Sequence, residues 1–292
     1  MIPAPLARNP ESAAFITIGL IAAAAALAGA PAPPLGVQLV VLALGVAVLG
    51  VPHGALDPWV ARRLRLWRGP AGFVAFNLGY VAIAGAVVAL WLLAPPAALI
   101  GFLAVSAWHF GGDWTLPGPA RLLAGLGVVL LPAWRFEGQV AEIFTVLAGP
   151  GGALIAEVAA MAGPGVLLAL IAAGLIAARA SLRSGAELAV IGALALTAPP
   201  LVYFIAYFCL LHSPRHLRGQ IAEAPRPLRA RLGGLAVVYT LITLVMAGAA
   251  AWWLSGASPE QSTLRIVFIG LAALTAPHML LIARAEGLTA RT

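Results

Sequence analysis

Residues 72–93 read GFVAFNLGYVAIAGAVVALWLL, and this stretch contains no charged side chain. A helix that crosses a bilayer needs about 20 mainly apolar residues, with a range of roughly 17–25. The stretch therefore predicts a membrane-spanning helix. Similar apolar runs precede and follow it along the chain, which predicts an all-α bundle that crosses the membrane many times.

The composition of the chain agrees with a membrane protein. Of the 292 residues, 62% are hydrophobic and 9% are charged, and the mean hydropathy is +1.00. A water-soluble domain has about 25% charged residues, so a cytosolic enzyme, a nucleic-acid-binding domain and a disordered chain are excluded. The net charge is +7, and every basic residue is arginine. In a membrane protein such an excess records which loops stay in the cytoplasm and does not indicate a nucleic acid partner.

The apolar runs predict one membrane domain, residues 1–292, with about ten spans; eight or nine are the alternatives. The predicted spans are 13–30, 36–56, 72–93, 97–113, 120–134, 153–178, 186–198, 200–217, 232–254 and 264–284. The seventh and eighth are separated at Pro199 and Pro200, because proline lacks a backbone donor and clashes with the preceding turn. With ten crossings, every arginine-rich connection and both termini face the cytoplasm, as the positive-inside rule requires.

Five histidines lie within apolar runs or at their edges, where ionisable residues are costly and usually functional. Four of them form motifs with a second titratable residue four positions on: HGALD (53–57), HFGGD (109–113) and HSPRH (212–216). The fifth, His278, lies in the last span. Residues i and i+4 share one face of a helix. We therefore expect Asp57 and Asp113 to orient His53 and His109 or neighbouring imidazoles.

In the ten-span arrangement, all five histidines lie near the cytoplasmic side of the membrane. Several imidazoles at one level predict a metal centre, and imidazole suits zinc, copper, iron and nickel. A mononuclear site held by histidines fits these motifs. One alternative is a haem-binding electron carrier with two axial histidines. Another is a proton-coupled transporter in which histidine and aspartate form a proton relay.

The motifs resemble those of the Brp/Blh family of bacterial membrane β-carotene 15,15′-dioxygenases. The similar segments are HGALD (53–57), SAWHFGGDW (106–114), YFCLLHSPRHL (207–217) and TAPHM (275–279). The resemblance implies a multi-pass enzyme of the bacterial inner membrane. It would use Fe(2+) and dioxygen to cleave β-carotene at its central double bond into two retinal molecules. The implied iron ligands and catalytic residues are His53, His109, His212 and His216, and no role follows for His278.

Further residues are expected around the ligands. Asp57, Asp113 and His278 are candidates beside the imidazoles, and Arg215 either pairs with one of the two aspartates or anchors its loop in the cytoplasm. A carotenoid tunnel should be apolar and aromatic. The aromatic candidates near the motifs are Trp108, Phe110, Trp114, Tyr203, Phe204, Tyr207 and Phe208. The expected partners are the carotenoid, dioxygen, membrane lipid and a retinal-binding protein that accepts the product.

Overall fold

The computed structural model describes residues 9–253 and 256–289, and for His53 and residues 286–289 it describes the backbone alone. Every regular element among these residues is helical, which confirms the predicted all-α class. The α-helices are α1 (Pro10–Leu27), α2 (Leu35–Gly45), α3 (Asp57–Arg63), α4 (Gly69–Leu93), α5 (Pro95–Gly111), α6 (Gly118–Arg135), α7 (Glu137–Ala148), α8 (Pro150–Met161), α9 (Gly163–Ala180), α10 (Leu182–Thr197), α11 (Pro200–Tyr207), α12 (Ser213–Glu223), α13 (Arg226–Trp253) and α14 (Pro259–Thr289).

Length and composition identify six spanning segments in the described part of the chain. They are Pro10–Leu27, Leu35–Arg63, Gly69–Leu93, Gly163–Ala180, Arg226–Trp253 and Pro259–Ala285. The helices α6 and α7 meet at 110°, and counting this bent pair as one span gives seven. The polytopic helical character is therefore supported, but the predicted count of ten is not confirmed. Several predicted spans are short helices; α5 has 17 residues and α10 has 16, at or below the lower limit of about 17 for crossing a bilayer.

The region 136–180 differs most from the expectation. The predicted span 153–178 is two helices, α8 and α9, with a proline in the first turn of α9. Proline is favoured at a helix start because its missing N–H has no partner there anyway. The helix α7 was not predicted. It ends at Ala148 and is followed by Gly149, whose φ of +62° suits glycine, and α8 begins at Pro150.

The predicted break between the seventh and eighth spans is confirmed. The helix α10 ends at Thr197 and α11 begins at Pro200. The largest buried core joins α1, α6, α9, α10 and α11, with Phe15, Leu131 and Ile191 at its centre. This core holds α10 and α11 beside the histidine motifs.

The described chain has π-helical turns beside two of the histidine motifs. Val46–Gly50 lies just before the first motif, and Phe208–His212 ends at the first residue of the third. Such turns insert one residue into a helix and are frequent at functional sites. The two turns contact each other, because a Cβ on Gly50 would lie 2.7 Å from the ring of Phe208. The hydroxyl of Ser213 also donates to the carbonyl oxygens of Leu49 and Gly50. The first and third motifs are therefore joined at their irregular turns.

Candidate metal centre

Four imidazole rings meet inside the bundle among the side chains that the structure describes. The ring centroid of His109 lies 4.8 Å from that of His212, 5.5 Å from that of His216 and 5.3 Å from that of His278. The His212 and His216 centroids are 4.6 Å apart. These residues come from α5, the second π-helical turn, α12 and α14. The side chain of His53 lies outside the described residues, so its role as a ligand stays a prediction.

The carboxylate of Asp113 is the centre of one hydrogen-bond network. His212 donates through Nδ1 to both carboxylate oxygens at 3.0 Å, and His216 donates through Nε2 to one of them at 3.0 Å. The hydroxyl of Tyr207 donates to the same carboxylate at 2.7 Å. The Asp113 side chain is fully buried, and these three donors satisfy its oxygens. Asp113 is therefore a carboxylate acceptor.

The carboxylate of Asp57 is the centre of a second, smaller network. His278 donates through Nδ1 to its Oδ1 at 2.8 Å, and the hydroxyl of Tyr80 donates to its Oδ2 at 2.9 Å. Asp57 and His278 are both buried. His278, for which the family resemblance implied no role, is thus bound to a motif carboxylate and lies within the imidazole cluster.

The carboxylate of Asp113 accepts hydrogen bonds from imidazoles of another motif. The sequence left open whether it would orient His109, four residues earlier, or a neighbouring ring. The imidazoles that donate to Asp113 within the described part are those of His212 and His216. The reason is local, because α5 ends at Gly111 and the chain turns at Gly112, so Asp113 does not continue the helix face of His109.

Carboxylate–imidazole pairs of this kind set which ring nitrogen can bind a metal. A ligating histidine commonly donates its other N–H to a carboxylate, which fixes its tautomer and its orientation. With Nδ1 donating to Asp113 or Asp57, the nitrogen suited to a metal is Nε2 in His212 and His278. Ligand atoms of Asp113, His212 and His216 all lie within 4.8 Å of one another. This spacing, together with the imidazole centroids 4.6–5.5 Å apart, makes the cluster a candidate for holding one metal ion.

A partly buried ion pair that the motif analysis missed supports the Asp113 network. Arg215 donates through Nη2 to Oε1 of Glu187 at 2.6 Å and through Nη1 to the backbone carbonyl of Asp113 at 3.1 Å. The indole N–H of Trp114 donates to Oε2 of Glu187 at 2.8 Å. Arg215 therefore pairs with Glu187 on α10, which is only 1% exposed, and it contacts Asp113 at the backbone carbonyl. Its role as a cytoplasmic anchor stays a prediction. A glutamate at the start of the apolar run 186–198 was the signal available in the sequence.

A cavity of about 110 Å³ lies beside the imidazole cluster, between α5, α6, α7, α11 and α14. Four of the predicted tunnel residues line it: Phe110, Tyr203, Phe204 and Tyr207. The rings of Phe110 and Tyr207 also lie near that of His212, with centroids 4.8 Å and 5.9 Å away. One wall of the cavity is therefore also a wall of the candidate metal centre.

The other three predicted tunnel residues have different surroundings and are not among the residues that line this cavity. Trp108 is 43% exposed, and the guanidinium of Arg121 lies over its ring at 4.6 Å. Trp114 is buried against Glu187. Phe208 stacks on His212 with ring centroids 5.5 Å apart, so it contacts the imidazole cluster instead.

Sequence comparison identifies the family. Residues 44–284 match the sequence profile of the family described as beta-carotene 15,15'-dioxygenase. The chain belongs to this family. The match begins within α2 and contains all four histidine segments of this β-carotene dioxygenase family member. It therefore confirms the resemblance found in those segments.

Two relatives of this family member cover most of its length. A beta-carotene 15,15'-dioxygenase from uncultured marine bacterium 66A03 is 29% identical over 252 residues, which is 81% of this chain and 90% of that protein. A probable beta-carotene 15,15'-dioxygenase Blh from Halobacterium salinarum is 27% identical over an alignment of 324 positions, covering 94% of this chain and 91% of that protein. No solved structure matches the chain.

Proposed function

We propose that this chain is an iron-dependent dioxygenase that cleaves β-carotene, or a closely related carotenoid, at its central double bond to give two retinal molecules. The observation that carries the proposal is the wall shared by the imidazole cluster and an aromatic, apolar cavity. The names of both relatives, each a beta-carotene 15,15'-dioxygenase, support the substrate.

The donor set supports iron as the resident metal. Imidazole and carboxylate ligands suit iron, and the carboxylate–imidazole pairs at Asp57 and Asp113 are typical of metal sites. Zinc has no redox chemistry and so does not suit an oxidation by dioxygen. When bound, ferrous iron would supply the activation of dioxygen. The residues proposed to hold it are His109, His212 and His216, with His278 beside them and His53 as implied by the family motif.

The protein's own residues are proposed to orient the ligands and to hold the polyene. Asp113 and Asp57 keep the imidazole rings in place through the hydrogen bonds described above. The rings of Phe110 and Tyr207 line the cavity beside His212 and present flat apolar surfaces, against which a conjugated chain packs well. The same aromatic wall keeps water away from the reacting double bond.

The helix α7 contributes one face to the cavity. Val140, Ile143, Phe144 and Leu147 all line it, and their spacing places them on the same side of α7. The cavity is smaller than the roughly 300 Å³ of a drug-sized ligand site. We therefore propose that it holds only part of the C40 chain and that the remainder lies along apolar protein surface in the bilayer. The contact between α7 and the substrate would then set how far the polyene extends past the iron.

The candidate centre is also proposed to lie near the cytoplasmic face, with about ten crossings and both termini inside. Arginines in the connections around α3–α4 and α12–α13 support this orientation. A C-terminal fusion to green fluorescent protein should fluoresce, because that protein folds in the cytoplasm. Alkaline phosphatase activity from the equivalent fusion, with no fluorescence from the first, would contradict the orientation.

Co-expression in bacteria that accumulate β-carotene tests the function. We expect orange colonies to lose colour and retinal to appear on chromatography, while the His212→Ala variant, expressed at the same level, leaves β-carotene intact. The purified wild-type protein should contain iron and show no porphyrin absorbance. Iron-loaded protein that leaves β-carotene uncleaved would overturn the substrate. A strong Soret band would support the haem carrier, and full activity after chelation would contradict any metal enzyme.

A further inference from the structure

The connection between α3 and α4 is an ordered turn. The N–H of Arg65 donates to the carbonyl of Arg62, and the N–H of Leu66 donates to the carbonyl of Ala61, both at 3.0 Å. This pair of hydrogen bonds is a Schellman motif, in which the residue just after the helix takes left-handed backbone angles. The turn therefore has a defined geometry on which side chains can be positioned.

Arg65 occupies the left-handed position of this motif, with φ of 58°. Glycine is the usual residue there, because any side chain is strained in that conformation. Within the described part of the chain, Arg65 is the one residue other than glycine with a positive φ. Strained backbone is concentrated at functional sites, including ligand clamps. The turn places the Arg65 side chain beside those of Arg62 and Arg68.

The turn borders a cavity of about 340 Å³ whose lining residues are mostly cationic: Arg62, Arg65, Trp67, Arg68 and Gly69. The indole N–H of Trp67 donates to the carbonyl of Pro58 at 3.0 Å, which fixes that wall of the cavity. Arg63, in the same turn, pairs with Glu223. No carboxylate among the described residues lies within 4.0 Å of the guanidinium nitrogens of the three lining arginines. The cavity is thus suited to an anion.

The start of α4 adds to this preference. Gly69 is both the first residue of α4 and part of the cavity lining. Pro70, the second residue of α4, has no N–H, but the other backbone N–H groups of the first turn lack partners within the helix, and the N-terminal end of a helix carries partial positive charge. Guanidinium groups beside a helix N-terminus are well suited to phosphate.

The surface that continues from the cavity indicates which phosphate compound binds. Val74, Leu78 and Val81 are exposed and share one face of α4. No residue in the most apolar 18-residue window of α4 is buried. The first of these side chains is five residues after Gly69, about 7.5 Å along the helix at 1.5 Å per residue. A phosphate group in the cavity would therefore lie directly above an apolar strip that can hold acyl chains.

We propose that this turn binds the phosphate headgroup of an anionic phospholipid, with its acyl chains along the exposed face of α4. The lipid would fasten α3 to α4, the two helices that carry Asp57 and Tyr80. The proposal rests on the turn, the cavity and α4 alone, and it holds whether or not the chain contains iron.

The test uses the full chain in detergent, with phosphatidylglycerol or phosphatidylcholine added and bound lipid counted by native mass spectrometry. We expect the wild type to retain phosphatidylglycerol about tenfold more than phosphatidylcholine, since basic side chains near a membrane surface attract anionic lipid. The Arg65→Ala/Arg68→Ala variant should lose this preference. The control Arg179→Ala/Arg183→Ala removes the same charge from the α9–α10 connection and should keep it. Equal loss in both variants would overturn a specific site.

A second variant separates binding from folding. Arg65→Gly suits the left-handed position and should raise the thermal unfolding midpoint of the lipid-free protein, while it lowers the retention of phosphatidylglycerol severalfold. Undiminished retention in Arg65→Gly would contradict the proposal. Stabilisation of the wild type by inorganic phosphate but not by phosphatidylglycerol would overturn the lipid as the ligand.

Discussion

The candidate metal centre has two halves that are built differently around two buried carboxylates. Asp113 accepts hydrogen bonds from two imidazoles and a tyrosine, and its main chain is held by the Arg215–Glu187 pair. Asp57 accepts hydrogen bonds from one imidazole and one tyrosine, and no further ion pair supports it among the described residues. More of the contacts that orient imidazole rings are therefore made in the Asp113 half than in the Asp57 half. Changes there should affect the metal more than matched changes in the Asp57 half.

Removal of a proposed ligand should have the largest effect. We expect His212→Ala to lose metal retention almost completely, because the ring contributes a proposed ligand nitrogen and also contacts Asp113. The measurement is iron per protein by elemental analysis after purification. Gln139→Ala, on the exposed side of α7, is the control and should keep the wild-type content. Wild-type iron content in His212→Ala would remove the Asp113 half from the metal site.

Matched carboxylate variants test the difference between the halves directly. We expect Asp113→Asn to weaken metal binding about 100-fold and Asp57→Asn about tenfold, the two ends of the range for partners of metal ligands. The larger loss follows because an amide in place of Asp113 disturbs two imidazoles at once. Competition with a chelator measures both affinities. Equal losses of affinity, or a larger loss for Asp57→Asn, would contradict the prediction that metal affinity follows the number of imidazoles each carboxylate orients.

Weakening the Arg215–Glu187 ion pair should have an intermediate effect on stability and metal affinity. Glu187→Gln leaves the charge of Arg215 with a neutral partner, and we expect a loss of about 2 kcal/mol of stability, below the 3–5 kcal/mol for a fully broken buried pair. Metal affinity should also fall severalfold, because Arg215 holds the main chain of Asp113. Thermal unfolding and chelator competition measure the two effects. Glu142→Gln on the exposed surface is the matched control, and an equally small change in both variants would show that Glu187 does not support Asp113.

The two tyrosines provide the smallest and most sensitive comparison. Tyr80→Phe and Tyr207→Phe each remove one hydroxyl donor, worth about 1 kcal/mol. We expect metal affinity to fall by less than about tenfold in both, and further for Tyr80→Phe, because His278 is then the one side-chain donor to Asp57 among the described residues. The same chelator competition decides the order. A larger loss for Tyr207→Phe would indicate that its hydroxyl has a role beyond holding Asp113.

Much of the candidate site could be predicted, but the pairing within it could not. The motif histidines His109, His212 and His216 were identified from local spacing and their position in apolar runs. Which carboxylate orients which ring depends on contacts between residues about 100 to 220 positions apart. Glu187 was missed for the same reason, because its partner lies on another helix. The predicted count of ten spans is not confirmed, because α5 and α10 are short helices and the predicted span 153–178 is divided into α8 and α9.

The sequence by itself determined the helical membrane character, the break at Pro199 and Pro200, and the family motifs. These follow from composition, from the lengths of apolar runs and from short motifs, all of which can be read from neighbouring residues. Only the tertiary structure decided that His278 joins Asp57, that Asp113 serves His212 and His216, and that the cavity ends against Phe110. These outcomes depend on how helices are bent and packed, because the two π-helical turns and the end of α5 set where each side chain points.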